Sequence, residues 1–288
     1  MSARWVYVNG QFVRHGQAMV HVEDRGYQLA DGIYEVWAVF NGALADSEGH
    51  FERLWRSLDE LRIPHPMSRA ALEVVLKEAV RRNRVREGLV YLQVTRGVAK
   101  RDHAFPHPST PPAVVIVARG LDRAATEAKA AGGISVITTP ENRWGRCDIK
   151  TVGLLPNALA KQAARERGAG EAWFVDDLGL VTEGASSNAW IVDGEGNLRT
   201  RDTNANILRG VTRRSVMDLL AKEGLTLQEK PFTPEEAKAA REAFITGAGS
   251  LVMPVVAVDG HPVGDGKPGP LATRLRALYI EHAQKSGI

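Results

Sequence analysis

Two Asn-Gly pairs, Asn9-Gly10 and Asn41-Gly42, each stand between short runs rich in β-branched and aromatic residues. Trp5 to Val8 precedes the first and Gln11 to Val13 follows it; Ile33 to Phe40 and Ala43 to Ala45 flank the second. A tight hairpin turn needs positive φ, which Gly adopts freely and Asn tolerates. The spacing predicts two hairpins in the first part of the chain.

Helices fall between the hairpins and later strands. Over 48–62, Phe51, Leu54, Leu58 and Leu61 share one face, with Glu52, Arg56, Asp59 and Glu60 mostly elsewhere. Ser68 reads as the cap of a second helix running to about Val85. Leu89 to Thr95 and Ala113 to Ala118 read as strands. Arg119 to Gly133 is polar and Ala-rich, lacks a sustained apolar face and ends in Gly-Gly, so it reads as an interdomain connection. Beyond it come a strand at Ile134 to Thr138, a helix from Leu155 to Arg167, and strands at 171–176, 180–183 and 188–193. Helices are expected at Thr212 to Glu223 and about 270–284. The expected organisation is α+β: a smaller domain over 1–119, a linker over 120–131 and a larger domain over 132–288. Strands and helices do not alternate strictly, and no Gly-x-Gly-x-x-Gly opens a helix after a strand, which leaves a dinucleotide fold without support.

The 288 residues are 44% hydrophobic and 25% charged, with a net charge of +3. So small an excess argues against nucleic acid as a partner. Cys147 is the only cysteine, which rules out an intrachain disulfide and fits a reducing cytosol. No apolar run approaches a membrane span, and the opening Met1 to Trp5 has no signal-peptide core, so a cytoplasmic protein is expected. His50, His65, His103 and His107 show no metal-ligand spacing, and no metal is expected.

Chemistry concentrates in two stretches. Arg146-Cys147-Asp148-Ile149-Lys150 offers an amine among apolar neighbours, Ile149, Val152, Leu154 and Leu155. Val181-Thr182-Glu183-Gly184-Ala185-Ser186-Ser187-Asn188 offers a lone carboxylate leading into small residues, where backbone and the Ser186 and Ser187 hydroxyls can approach a flat ligand. An amine that forms a Schiff base and a carboxylate that keeps a pyridine ring protonated are what pyridoxal 5′-phosphate chemistry needs most. Gly210-Val211-Thr212 at a helix start offers amides, a hydroxyl and the positive end of a helix dipole for a phosphate. Arg101 and His103, two apart, point the same way in an extended segment and could clamp a carboxylate; alone, the Lys100-Arg101 loop reads first as a solvated basic turn.

These motifs, with Asp24-Arg25-Gly26-Tyr27-Gln28-Leu29-Ala30-Asp31-Gly32-Ile33-Tyr34-Glu35, resemble the fold-type IV pyridoxal-phosphate aminotransferases, and within them the D-amino-acid (D-alanine) aminotransferases, over nearly the whole length. The resemblance implies two domains with the active site in the cleft between them, and a homodimer whose partner loops help close each site. It implies ping-pong transfer from a D-amino acid to a 2-oxo acid such as 2-oxoglutarate or pyruvate. Lys150 becomes the Schiff-base lysine and proton shuttle, and Glu183 the carboxylate on the ring nitrogen. Arg53, Val211 and Thr212 become phosphate ligands, and Leu208 either packs on the ring or is plain core. Tyr34, Arg101 and His103 become the carboxylate clamp. The family's hydroxyl-rich turn is replaced by Gly247-Ala248-Gly249-Ser250, so Ala248 leaves the phosphate one side-chain ligand short. Branched-chain aminotransferases and (R)-amine transaminases share the fold. The absence of a tyrosine in Thr151 to Asn157 counts against the branched-chain reading.

Overall fold

The computed structural model describes residues 4–203 and 207–288; Met1 to Ala3, part of the opening stretch considered above, lie outside the described residues. The chain forms two compact units: Met1–Asp122 with Ile149–Gly153 and Gln284–Ile288, and Arg123–Asp148 with Leu154–Ala283.

In unit 1, β1 (Trp5–Val8) and β2 (Gln11–Arg14) form the first hairpin. Asn9 and Gly10 at its turn have φ of 46° and 97°, the values that motivate Asn-Gly there. The short helix α1 (Arg25–Leu29) is capped by Asp24, whose side chain accepts from Gly26 N. Strands β3 (Gly32–Phe40) and β4 (Ala43–Leu44) make the second hairpin. Then come α2 (Ser47–Glu60), α3 (Arg69–Asn83), β5 (Gly88–Thr95) and β6 (Ala113–Gly120). The expected Ser68 cap forms, accepting from Ala71 N, and α3 ends where Arg84 turns left-handed. The strands make an antiparallel sheet in the order β2-β1-β6-β5-β3-β4. Phe51, Leu54 and Leu58 of α2 and Leu72 and Leu76 of α3 share one buried core with Trp37, Val90 and Ile116 of this sheet.

Unit 2 begins differently from expectation. Arg123–Gly132, inside the stretch read as a connection, is helix α4, and Ala130 is its buried residue. Alanine favours helix without needing an apolar face. Next come β7 (Ile134–Pro140), α5 (Leu155–Glu166), β8 (Glu171–Val175), β9 (Val181–Gly184), β10 (Asn188–Val192) and β11 (Leu198–Thr200). They are followed by α6 (Val211–Lys222), β12 (Leu227–Gln228), α7 (Pro234–Lys238), β13 (Glu242–Gly247), β14 (Leu251–Val258), β15 (His261–Pro262) and α8 (Pro270–Ser286). The sheet runs β12-β11-β10-β13-β14-β7-β8-β9, with β15 on β14. It is mixed: β7 pairs in parallel with both β14 and β8. Trp173, Val181, Ile191, Phe232 and Ile245 lie in its main buried core.

Candidate active site

The lysine segment sits in unit 1 rather than with the second portion of the chain, because its backbone pairs with β3. Tyr34 N donates to Lys150 O at 2.9 Å, Val152 N to Gly32 O at 3.0 Å, and Thr151 Oγ1 to Gly32 O at 3.1 Å. This pairing brings two expected residues together: Lys150 Nζ lies 4.1 Å from the centroid of the Tyr34 ring. Among the described residues the amine has no hydrogen-bond or ion-pair partner. Tyr34 in turn stacks on Tyr91, at 5.7 Å and 29°.

Glu35, next on β3, points to the opposite face and is fully buried. Arg53 Nε and Nη2 donate to its two oxygens at 2.6 and 2.9 Å, and His50 Nδ1 donates at 2.8 Å. A carboxylate only accepts, so the His50 proton sits on Nδ1. Burial alone would push the Glu35 carboxyl up, but the Arg53 charge and hydrogen bonds, with His50, outweigh it and hold Glu35 well below the usual range. Arg53 is thereby fixed in place by a buried fork-to-carboxylate pair.

Glu183 lies on β9 in unit 2, 4% exposed. Arg143 Nη1 donates to Oε1 at 2.6 Å, Asn188 Nδ2 to Oε2 at 3.1 Å, and Leu208 N reaches both oxygens at 3.2 Å. Arg143 also grips Glu141, from Nε at 2.8 Å and Nη2 at 2.6 Å. Burial pushes the Glu183 carboxyl above its ordinary value despite the opposing Arg143 charge.

The Ser186 and Ser187 hydroxyls both donate to Glu171, a buried carboxylate at the start of β8, at 2.8 and 3.0 Å. Helix α6 starts at Val211 after Gly210, with no side-chain cap on its first-turn amides. Gly210 is required there: a Cβ would lie 2.0 Å from Asn188 Oδ1. Val211 and Thr212 are buried, and Leu208 is half-buried. Ala248 lies in the turn between β13 and β14, where Ser250 Oγ donates to Gly247 O at 3.5 Å.

Arg101 and His103 stand on the segment joining β5 and β6 in unit 1. Both are exposed, and among the described residues neither makes a hydrogen bond or ion pair. Among the described residues no hydrogen bond, ion pair or ring contact joins them to Tyr34.

Residues 32–258 match the family described as Amino-transferase class IV. The chain belongs to the class IV amino-transferases. It is 39% identical to the D-alanine aminotransferase of Staphylococcus haemolyticus over 97% of this chain and 98% of that one. It is 40% identical to the D-alanine aminotransferase of Bacillus licheniformis over 94% of both. Its fold is similar to that of the branched-chain amino acid aminotransferase of the thermophilic archaeon Thermoproteus uzoniensis with norvaline, with a TM-score of 0.84, 26% identity, and 99% and 97% of the two chains covered. A further branched-chain amino acid aminotransferase, solved with pyridoxamine 5′-phosphate, matches with a TM-score of 0.90 and 29% identity over 99% and 96% of the two chains.

Class IV amino-transferases depend on pyridoxal 5′-phosphate. The residues present fit that group. Among the described residues Lys150 is an amine without a polar partner, Glu183 is a buried carboxylate that a cationic ring would relieve, and the start of α6, without a side-chain cap, suits a phosphate. No side-chain hydroxyl stands at Ala248 to add to it. For this class IV chain, sequence reasoning missed Arg143, Glu141 and Glu171. Their signal was weak: isolated charges in or beside strands, which a sequence presents as surface residues.

Proposed function

We propose that this aminotransferase moves the amino group of a D-amino acid, such as D-alanine, to a 2-oxo acid, such as 2-oxoglutarate, in a ping-pong cycle. Near-full-length likeness to two D-alanine aminotransferases supports the substrate class. The observation that carries the reading is the exposed pair Arg101 and His103, unpartnered among the described residues: a guanidinium and an imidazole two residues apart and available for a carboxylate.

When bound, pyridoxal 5′-phosphate supplies the carbonyl that accepts the amino group and a ring that draws electrons from the substrate Cα. Lys150 holds the cofactor through Nζ and moves the proton from the substrate Cα. Glu183 provides the buried carboxylate that favours a proton on the ring nitrogen, and the Arg143 charge opposes the upward push of burial on Glu183. Arg53, the amides of Val211 and Thr212, and the Thr212 hydroxyl hold the phosphate. Leu208 packs on the ring. Ser186, Ser187 and Ala248 contribute through backbone, since both serine hydroxyls are donated to Glu171 and Ala248 has none. Tyr34, Arg101 and His103 orient the substrate carboxylate.

We also assign the chain to a cytoplasmic homodimer. Met19, Val22, Tyr27, Leu155 and Leu159 are large apolar side chains left exposed, as expected of surfaces that a second copy covers. Among the described residues no helix is long and apolar enough to cross a membrane. Sedimentation as a monomer would remove the dimer from this reading.

The test is a set of half-reactions with D-alanine, L-leucine and (R)-1-phenylethylamine. D-alanine should react fastest. Arg101→Ala should raise its KM on the order of thirtyfold or more, from about 2–5 kcal/mol for a charged pair left half-made. L-leucine as the better substrate, or unchanged D-alanine kinetics in Arg101→Ala, overturns the reading.

A further inference from the structure

The segment carrying Arg101 and His103 is exposed, yet it is anchored at defined points. Arg25, 2% exposed, uses two corners of its guanidinium. Nε donates to Asp31 Oδ2 at 2.8 Å and Nη1 to the backbone carbonyl of Asp102 at 2.6 Å. Asp102 stands between Arg101 and His103. Asp31 is also gripped by Arg96, from Nε at 2.7 Å and Nη2 at 2.9 Å. The face of Arg96 lies 3.6 Å from the centroid of the Phe105 ring, two residues beyond His103. Arg96 is itself fixed by the carbonyls of Leu61 and Arg62 at 2.7 and 2.9 Å.

The start of the segment is stitched to α1 as well. Arg25 N donates to Gly97 O, Ala99 N to Glu23 O, and Thr95 Oγ1 to Asp24 Oδ2. Gly26 permits this contact, because a Cβ there would lie 2.2 Å from the Thr95 side chain. Burial pushes the Asp31 carboxyl up, but the Arg96 and Arg25 hydrogen bonds outweigh it and keep it ionised.

We propose that the Asp31, Arg25 and Arg96 cluster positions the substrate-recognition segment, fixing Arg101 and His103 through the Asp102 carbonyl on one side and the Phe105 ring on the other. This rests on the reading that Arg101 and His103 take the substrate carboxylate. Asp31, Arg25 and Arg96 touch no substrate; they act through the backbone they hold. The arrangement favours arginine at position 25, because its Nε and Nη1 reach the two acceptors from fixed corners of a planar fork, whereas a lysine would have to serve both from a single nitrogen on a flexible stem.

The experiment compares Arg25→Lys, Phe105→Ala and Arg101→Ala in the holoenzyme, measuring D-alanine half-reactions, pyridoxal-phosphate affinity and tryptic cleavage after Arg101. Arg25→Lys should raise KM for D-alanine by roughly tenfold, since small displacements of a positioning contact are costly. It should leave kcat and cofactor affinity within about twofold and speed tryptic cleavage. Phe105 is 50% exposed, so Phe105→Ala keeps the fold and should raise KM severalfold even if Arg25→Lys does not fold. The proposal is overturned if Arg101→Ala raises KM while Arg25→Lys and Phe105→Ala leave KM and cleavage unchanged. It is also overturned if kcat and cofactor affinity fall while KM rises. If Arg101→Ala itself leaves KM unchanged, the carboxylate reading fails first and the proposal with it.

Discussion

Arg143 Nη1 donates to Glu183 Oε1 at 2.6 Å, and the same guanidinium holds Glu141. Arg143 is the cation that opposes the burial of Glu183, whose carboxyl that burial pushes upward. Arg143→Gln removes that opposition, so Glu183 becomes still harder to ionise. The half-reaction rate at pH 7 should fall by about tenfold or more, given that breaking one side of a buried ion pair costs about 3–5 kcal/mol. A carboxyl with a raised pKa ionises only as pH rises, so activity should partly recover in alkaline buffer. The pH profile of the D-alanine half-reaction measures this, and a profile parallel to that of the wild type contradicts it.

Glu35 is held well below the ordinary carboxylate range by Arg53 and His50. A depressed folded pKa means stability that is present above the unfolded value, about 4.3 for glutamate, and lost as pH falls through the folded value. In that acid window the unfolded chain binds more protons, so stability drops with falling pH. Glu35→Gln removes this contribution and leaves Arg53 half-paired. Its thermal midpoint at pH 7 should lie well below that of the wild type, and the gap should narrow as pH falls below about 4. Thermal melts across pH 3–7, on the order of one unit apart, read both effects. A gap that is constant with pH assigns the loss to packing instead.

Ala248 offers no hydroxyl in the turn between β13 and β14. One hydrogen bond to a charged group is worth about 1.5–3 kcal/mol. Ala248→Thr should therefore slow loss of the pyridoxamine form, which lacks a covalent tether, by about tenfold. Gel filtration after D-alanine treatment measures the release. Equal release from both proteins means that this turn does not hold the phosphate.

Local signals in the sequence were strong where one residue type satisfies one backbone need. Asn9-Gly10 and Asn41-Gly42 marked both hairpins, and Ser68 marked the start of α3, because positive φ and capping are decided within a few residues. Helix α4 was not legible: it is alanine-rich, and a hydrophobic-face argument has nothing to count there. The Arg143 to Glu183 contact spans forty residues of chain and depends on where β7 and β9 place their ends, which no local pattern encodes. Ser186 and Ser187 were legible as small and polar, but their commitment to Glu171 follows from the antiparallel pairing of β8 with β9 and the turn after β9. Lys150 stood out through its motif. Its place against Tyr34 instead follows from pairing of residues 150–152 with β3.

Lys150 is central to the proposed chemistry: its amine faces the Tyr34 ring and has no polar partner among the described residues. Borohydride treatment of the pyridoxal-phosphate-loaded protein, followed by peptide mapping, fixes the cofactor to the lysine that holds it. The label should fall on Lys150. Lys150→Ala should bind the cofactor without covalent label and lose transamination by several orders of magnitude, beyond the roughly 10²–10⁴-fold of general-base catalysis alone. A label on any other lysine, or full activity in Lys150→Ala, contradicts the assignment.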